Sequence, residues 1–127
     1  SGLKTYLKDE KRVFNMKHAM SPIVDMARVY ALKNKIFETN TGMRLKRLFE
    51  AGHFEEKHYN ELVNAYYYLM GVRLKNQSHL ILHDFSEPSN LLEPKRLTTV
   101  EQATLREIFK FIKVVQWGIK TRFNIGA

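Results

Sequence analysis

Apolar residues recur at helical spacing in four stretches of the chain, separated by shorter polar segments. The first stretch is predicted to start at Ser21-Pro22 and run to about Ile36. Serine is a good N-cap there, and proline at the first helical position loses an N–H that would have no partner. Val24, Ala27, Ala31, Leu32 and Ile36 form its stripe, with Met26 and Tyr30 widening it. Thr41 caps a shorter second helix carrying Met43, Leu45, Leu48 and Phe49, and Gly52 ends it in the left-handed conformation that glycine tolerates. The third helix is expected from near Phe54 to about His83, with Leu62, Tyr66, Leu69, Arg73, Asn76 and Leu80 on one face. Asp84 to Leu97 holds Pro88 and Pro94 and reads as a loop. The last helix opens with Thr98 and Glu101 at capping-box spacing. Leu105, Ile108, Ile112, Val115, Ile119 and Phe123 then continue its apolar stripe, with Phe109 beside it.

Ahead of these helices, Leu3 to about Lys8 is expected as a short leading helix or extended lead-in. Val13-Phe14-Asn15-Met16 reads as an extended connector. No segment reads as part of a β-sheet. The fold class is therefore all-α: an antiparallel four-helix bundle over residues 21–124 behind a lead-in at 3–20, in one domain. Ser1-Gly2 reads as a tag remnant, and the 127 residues as a segment of a longer polypeptide.

Charge changes this picture more than overall composition does. There are 21 Lys+Arg against 13 Asp+Glu, a net charge of +8, which favours anionic partners and also aids solubility. No cysteine is present, so disulfides, zinc-thiolate sites and thiol nucleophiles are excluded, and a reducing cytoplasmic setting is expected. No apolar run reaches the length of a membrane span, and no membrane partner is expected.

Polar residues within the stripes are the candidate chemistry. Arg73 falls near the centre of the third helix's apolar face, with Asn76 and Gln77 one turn on, while Asp25 and Arg28 lie on the side of Leu32. A guanidinium facing a core needs strong acceptors, so Asp25 is expected to pair with Arg73 or Arg28 across the helix interface. Such a pair serves either to hold the bundle in register or to line a pocket for an anionic or amide-bearing ligand. Arg106, Lys110, Lys113 and Trp117 lie along one edge of the fourth helix, extended by Phe111 and Val114. They form a candidate docking or base-stacking surface, or else a solvated face with Trp117 on the lysine stems. Arg44, Lys46 and Arg47 make another basic cluster, and Tyr66-Tyr67-Tyr68 must point three ways around their helix. His79 and His83 have the spacing of two metal ligands, but no third is evident and no metal site is expected.

Other chemistry is missing. No glycine-rich phosphate loop occurs, and Asp9, Asp25 and Asp84 each lack an acidic residue two positions away, as a two-metal transfer centre would need. No catalytic residue is expected in this chain.

The order of these residues resembles a bacterial family. The stretch Phe14-Asn15-Met16-Lys17, then Pro22-Ile23-Val24-Asp25 with Ala27-Arg28 and Ala31-Leu32, resembles the opening of that family, and Asn40-Thr41 and Arg44-Leu45 match its second helix. The likeness continues with Leu62, Ala65-Tyr66, Leu69, Arg73-Leu74 and Gln77, then Asn90-Leu91-Leu92 and Leu97. That family is the putative nucleotidyltransferase substrate-binding domain. The resemblance spans roughly Val13 to Phe123, and it departs at Asn15, where the family usually has aspartate. It implies a helical domain C-terminal to a catalytic domain similar to the protein-PII uridylyltransferases, in signal-transduction proteins that often carry CBS or cyclic-nucleotide-binding domains. It further implies substrate contacts by Asp25, Arg28, Arg73 and Gln77, with a nucleotide or an acceptor protein as substrate. Magnesium and a nucleotide would then sit in the neighbouring catalytic domain. Its partners would be the upstream domains of the same polypeptide. The rival readings are a nucleic-acid-binding module working through Arg106, Lys110, Lys113 and Trp117, or a homodimer formed on the Phe111-Val114-Trp117 edge.

Overall fold

A computed structural model describes residues 6–8, 11–83 and 89–123, with side chains described for 13–83 and 89–118. Among these residues the chain forms an all-α bundle of four helices: α1 (Met16–Lys33), α2 (Thr41–Glu50), α3 (Glu56–Leu82) and α4 (Thr99–Phe123). α1 packs on each of the other three. α3 runs antiparallel to α4: Lys75 meets Glu101 at one end, and Leu62 shares a groove with Phe111 and Gly118 at the other.

α1 begins five residues before the expected Ser21-Pro22 start. Asn15 is its N-cap, accepting from the His18 N–H at 3.2 Å, and the Met16 N–H donates to the Asn90 carbonyl at 2.7 Å. Pro22 lies inside the helix, where it removes the bond to the His18 carbonyl at a cost of about 3 kcal/mol in an ordinary helix interior. Burial overrides that cost: Met16, Met20 and Ile23 are all in the core on either side of the proline. The helix ends before the expected Ile36. The Ile36 N–H bonds the Ala31 carbonyl and the Lys35 N–H the Leu32 carbonyl, with Lys35 at φ 58°. This is a Schellman end with lysine where glycine is usual.

The other helix ends lie close to expectation. α2 is capped by Asn40, one residue before Thr41, and Gly52 ends it at φ 84°. Thr98 and Glu101 cap α4 reciprocally: the Thr98 N–H donates to Glu101 Oε1 at 2.9 Å and the Glu101 N–H to Thr98 Oγ1 at 3.1 Å. Residues 84–88 of the expected loop, and the side chains of Ile119 and Phe123, lie outside the described residues.

The lead-in corrects the sequence reading. Residues 3–5 of the expected leading helix lie outside the described residues, and Tyr6–Lys8 is a strand, β1. It pairs antiparallel with β2 (Lys11–Asn15), which pairs antiparallel with β3 (Leu91–Leu92), giving a small sheet of order β1-β2-β3. The extended connector is thus a central strand. Its Val13 and Phe14 are buried, and Phe14 packs edge-on against Phe109 of α4, ring centroids 6.2 Å apart. A two-residue partner strand inside a proline-bearing loop leaves no alternating pattern to detect.

Tyr30 stacks on Phe54 and Phe49 on Tyr59, joining α1 and α2 to the start of α3. Of the three tyrosines, Tyr66 is core, whereas Tyr67 reaches α2: a Cβ on Gly42 would collide with its hydroxyl.

Candidate functional site

The C-terminal half of α3 carries polar groups on two sides of its buried face. On one side Arg73 Nε donates to Asn90 Oδ1 at 2.8 Å. Between the sides Asn76, only 6% exposed, donates through Nδ2 to the Leu91 carbonyl at 2.8 Å. The Ser89 hydroxyl accepts from the Leu91 N–H. Residues 89–92 are therefore tied to α3 by side chains and to the start of α1 and β2 by backbone. A strand of two residues has too few ladder bonds to hold itself, and these side-chain bonds supply what the ladder lacks.

On the other side of α3 a cleft of about 230 Å³ opens between the helix and the chain that leads into α4. α3 contributes Val72, Lys75, Asn76 and His79. The facing wall is Leu92, Arg96, Leu97 and Glu101. Val72, Leu92 and Leu97 give the cleft its aliphatic surface, and Lys75, His79, Arg96 and Glu101 its ionisable side chains. Lys75 Nζ lies 3.5 Å from Glu101 Oε2, joining the two walls, and Arg96 Nε lies 3.6 Å from Glu93 Oε1. Gln102 Nε2 donates to the Pro94 carbonyl at 2.9 Å, so the 3-10 turn Pro94–Arg96 is fastened to α4. The N–H of Thr98 holds the Glu101 carboxyl below the usual carboxylate range. Partial burial opposes this, and the Thr98 hydroxyl and Lys75 add to it.

The residues expected to share one enclosed polar cluster are not gathered there. Asp25 pairs with Arg28 at 3.1 Å, three residues apart on the same helix, and their side chains are 58% and 54% exposed. The expectation of a bond across the helix interface is overturned, and Arg73 has an amide partner instead of a carboxylate. The physical reason is the rotation of α1. Its buried face is Met16, Met20, Ile23, Met26, Ala27, Tyr30 and Ala31, which turns Asp25, Arg28 and Leu32 to solvent. Gln77 is half-buried beside Arg73. Arg106, Lys110, Lys113 and Trp117 are all exposed, and Lys110 lies 3.4 Å from Glu107. The His79 and His83 rings stand 4.9 Å apart. Among the described residues no three His, Cys, Asp or Glu side chains converge where they could hold a metal ion.

With that geometry in place, comparison with known families is decisive. A family model described as "Putative nucleotidyltransferase substrate binding domain" matches residues 2–123. The chain belongs to this family. No curated protein and no solved structure gives a significant match. The match takes in all four helices of the substrate-binding domain and the strands that frame α1. Among its described residues no helix is long and apolar enough to cross a membrane.

Sequence reasoning found Arg73 and Asn76 of this substrate-binding domain but not the partners that decide their roles. Asn90 and Leu91 lie 17 and 15 residues away in a loop. Lys75 and Arg96 sit on surfaces whose local pattern is that of any solvated cation. Glu101 had a signal, the capping box, which places its carboxylate at the start of α4 and therefore beside the cleft.

Proposed function

We propose that this domain holds the anionic substrate of a nucleotidyltransferase carried by the same polypeptide, a cytoplasmic bacterial signal-transduction protein. The cleft between α3 and the entry to α4 is the seat of that substrate. One observation carries the reading: in a family described by substrate binding, one cleft is lined by the aliphatic Val72, Leu92 and Leu97 together with Lys75, His79, Arg96, Glu101 and the buried Asn76 amide. Arg96 offers the planar donor fork suited to phosphate or carboxylate, and Lys75 a mobile point charge. Arg73 acts from behind, by holding Asn90 and hence Leu92, a wall of the cleft. Gln77 extends the polar surface beside Arg73, and Arg28 is an outlying cation that Asp25 orients. On this reading magnesium and the chemical step belong to a neighbouring catalytic domain.

Titrating the four common nucleoside triphosphates into the isotope-labelled chain tests this. Saturable shifts of backbone amides at Lys75, Leu92 and Arg96 are expected, weakened about tenfold by Arg96→Ala, the loss of a charge-assisted bond. No saturable shift with any of the four would refute it.

A second reading rests on the α4 edge. Trp117 and Val114 are each 69% exposed beside Arg106, Lys110 and Lys113, a combination that suits a partner surface: the catalytic domain, a second copy or a nucleic acid. Binding to single-stranded RNA that falls steeply with salt and is lost in Lys113→Glu would favour it.

A further inference from the structure

Asn76 has an unusual accounting of its amide. The residue is 6% exposed, and its Nδ2 is committed to the Leu91 carbonyl. Its Oδ1 takes no hydrogen bond from any described residue. Yet among the described residues no fully enclosed side-chain oxygen is left without a partner. The oxygen is therefore reached from outside, and the opening that Asn76 lines is the cleft. A carbonyl oxygen held in place by its own nitrogen and open toward the cleft is a fixed acceptor available to a donor that enters it.

The size and the order of groups narrow the donor's identity. At about 230 Å³ the cleft is smaller than the roughly 300–1,000 Å³ that encloses a whole drug-sized ligand. A volume of that size, with Val72, Leu92 and Leu97 in its lining, suits one flat ring system of a larger molecule whose remainder stays outside. The charged groups that line the cleft are Lys75 and Arg96, with Glu101 paired to Lys75. We propose that the substrate is a nucleotide bound base-first: the base slides between the aliphatic walls and gives an N–H of its pairing edge to Asn76 Oδ1, while its phosphates stay at the mouth with Arg96 and Lys75. The assignment rests on the substrate-binding reading above and adds an orientation and a recognised group to it. Each common base carries an N–H donor on that edge, so Asn76 selects for a base over a bare phosphate chain.

The test separates the two ideas by cutting the ligand as well as the protein. The side-chain amide signal of Asn76 is followed by NMR during titration with a nucleoside triphosphate, the matching nucleoside, and inorganic triphosphate. The nucleotide and the nucleoside are expected to shift that signal saturably and inorganic triphosphate is not. The triphosphate is expected to bind about tenfold or more weakly than the nucleotide, the worth of the base contacts. Leu97→Trp, which fills the cleft and leaves the Asn76–Leu91 bond in place, is expected to abolish nucleoside binding with the melting temperature retained. Inorganic triphosphate binding as tightly as the nucleotide would overturn the base-first assignment and leave the anion-binding reading standing. Nucleoside binding unchanged in Leu97→Trp would overturn it as well. Absence of binding by all three ligands would overturn both.

Discussion

Two arginines of this domain each bond one acceptor, and the two bonds differ in almost every respect that sets their worth. Arg28 reaches Asp25 three residues back along α1, with both side chains more than half exposed. Arg73 reaches Asn90 across 17 residues, half-buried, and Asn90 in turn accepts the first N–H of α1 through its carbonyl. The first is a formal ion pair and the second involves a neutral amide, yet the second is the stronger structural link. Water screens the exposed pair and the helix would form without it. The half-buried bond acts with the Asn76–Leu91 bond, the Met16–Asn90 backbone bond and the β2–β3 pairing to order residues 89–92. Exposure and chain separation, more than formal charge, decide what a polar contact does here.

That contrast can be broken by mutation. Arg73→Ala is expected to give the largest effect, a loss of about 2–3 kcal/mol in urea denaturation, because it leaves a partly buried acceptor unpaired. Hydrogen exchange at Met16 and Leu92 should accelerate more than exchange at Leu45 in the core of α2. A loss under about 0.5 kcal/mol would place Arg73 with ordinary surface residues.

Thr98→Ala should cost less, about 1 kcal/mol, the usual worth of an N-cap. Like Asp25–Arg28 this is a local, exposed contact between residues three apart, but one that satisfies backbone N–H groups at a helix start. It also brings a pH dependence. Since the folded Glu101 carboxyl titrates below its unfolded value, its stabilisation is present above the ordinary carboxylate range and is lost as pH falls through the lowered folded value. Melting temperature measured down through that window should fall further in the parent chain than in Glu101→Gln, since Thr98→Ala keeps the backbone N–H that is the main cause of the shift. Parallel curves would remove Glu101 as the cause.

The smallest effect belongs to Arg28→Ala, expected within about 0.5 kcal/mol and diminishing as salt is added. A loss comparable to that of Arg73→Ala would erase the distinction between the two arginines.

Much of the architecture was legible in the residues alone. The four stripes, the Gly52 end of α2 and the Thr98–Glu101 box depend on groups three or four positions apart, and α2 to α4 begin and end near where those groups place them. α1 shows where such reasoning stops. Ser21-Pro22 is a good helix start by local chemistry, but the chain was already helical from Met16, held by Asn90 and by buried methionines. The earlier start goes with a stripe centred on Ile23, Met26, Ala27 and Tyr30, and so Asp25 and Arg28 face water instead of a shared pocket. Arg73 was recognisable as a cation on an apolar face that required an acceptor, but nothing local indicated which acceptor.

The amino-acid order by itself determined the helical class, the family, the Gly52 end of α2 and the Thr98–Glu101 box, because those are properties of neighbours along the chain. Tertiary structure alone decided the pairing of β2 with β3, the rotation of α1, the Arg73–Asn90 and Asn76–Leu91 bonds and the cleft they border. Each of these needs two segments many residues apart to meet. Which pair meets is set by the packing of all four helices at once, and no window of sequence contains that information.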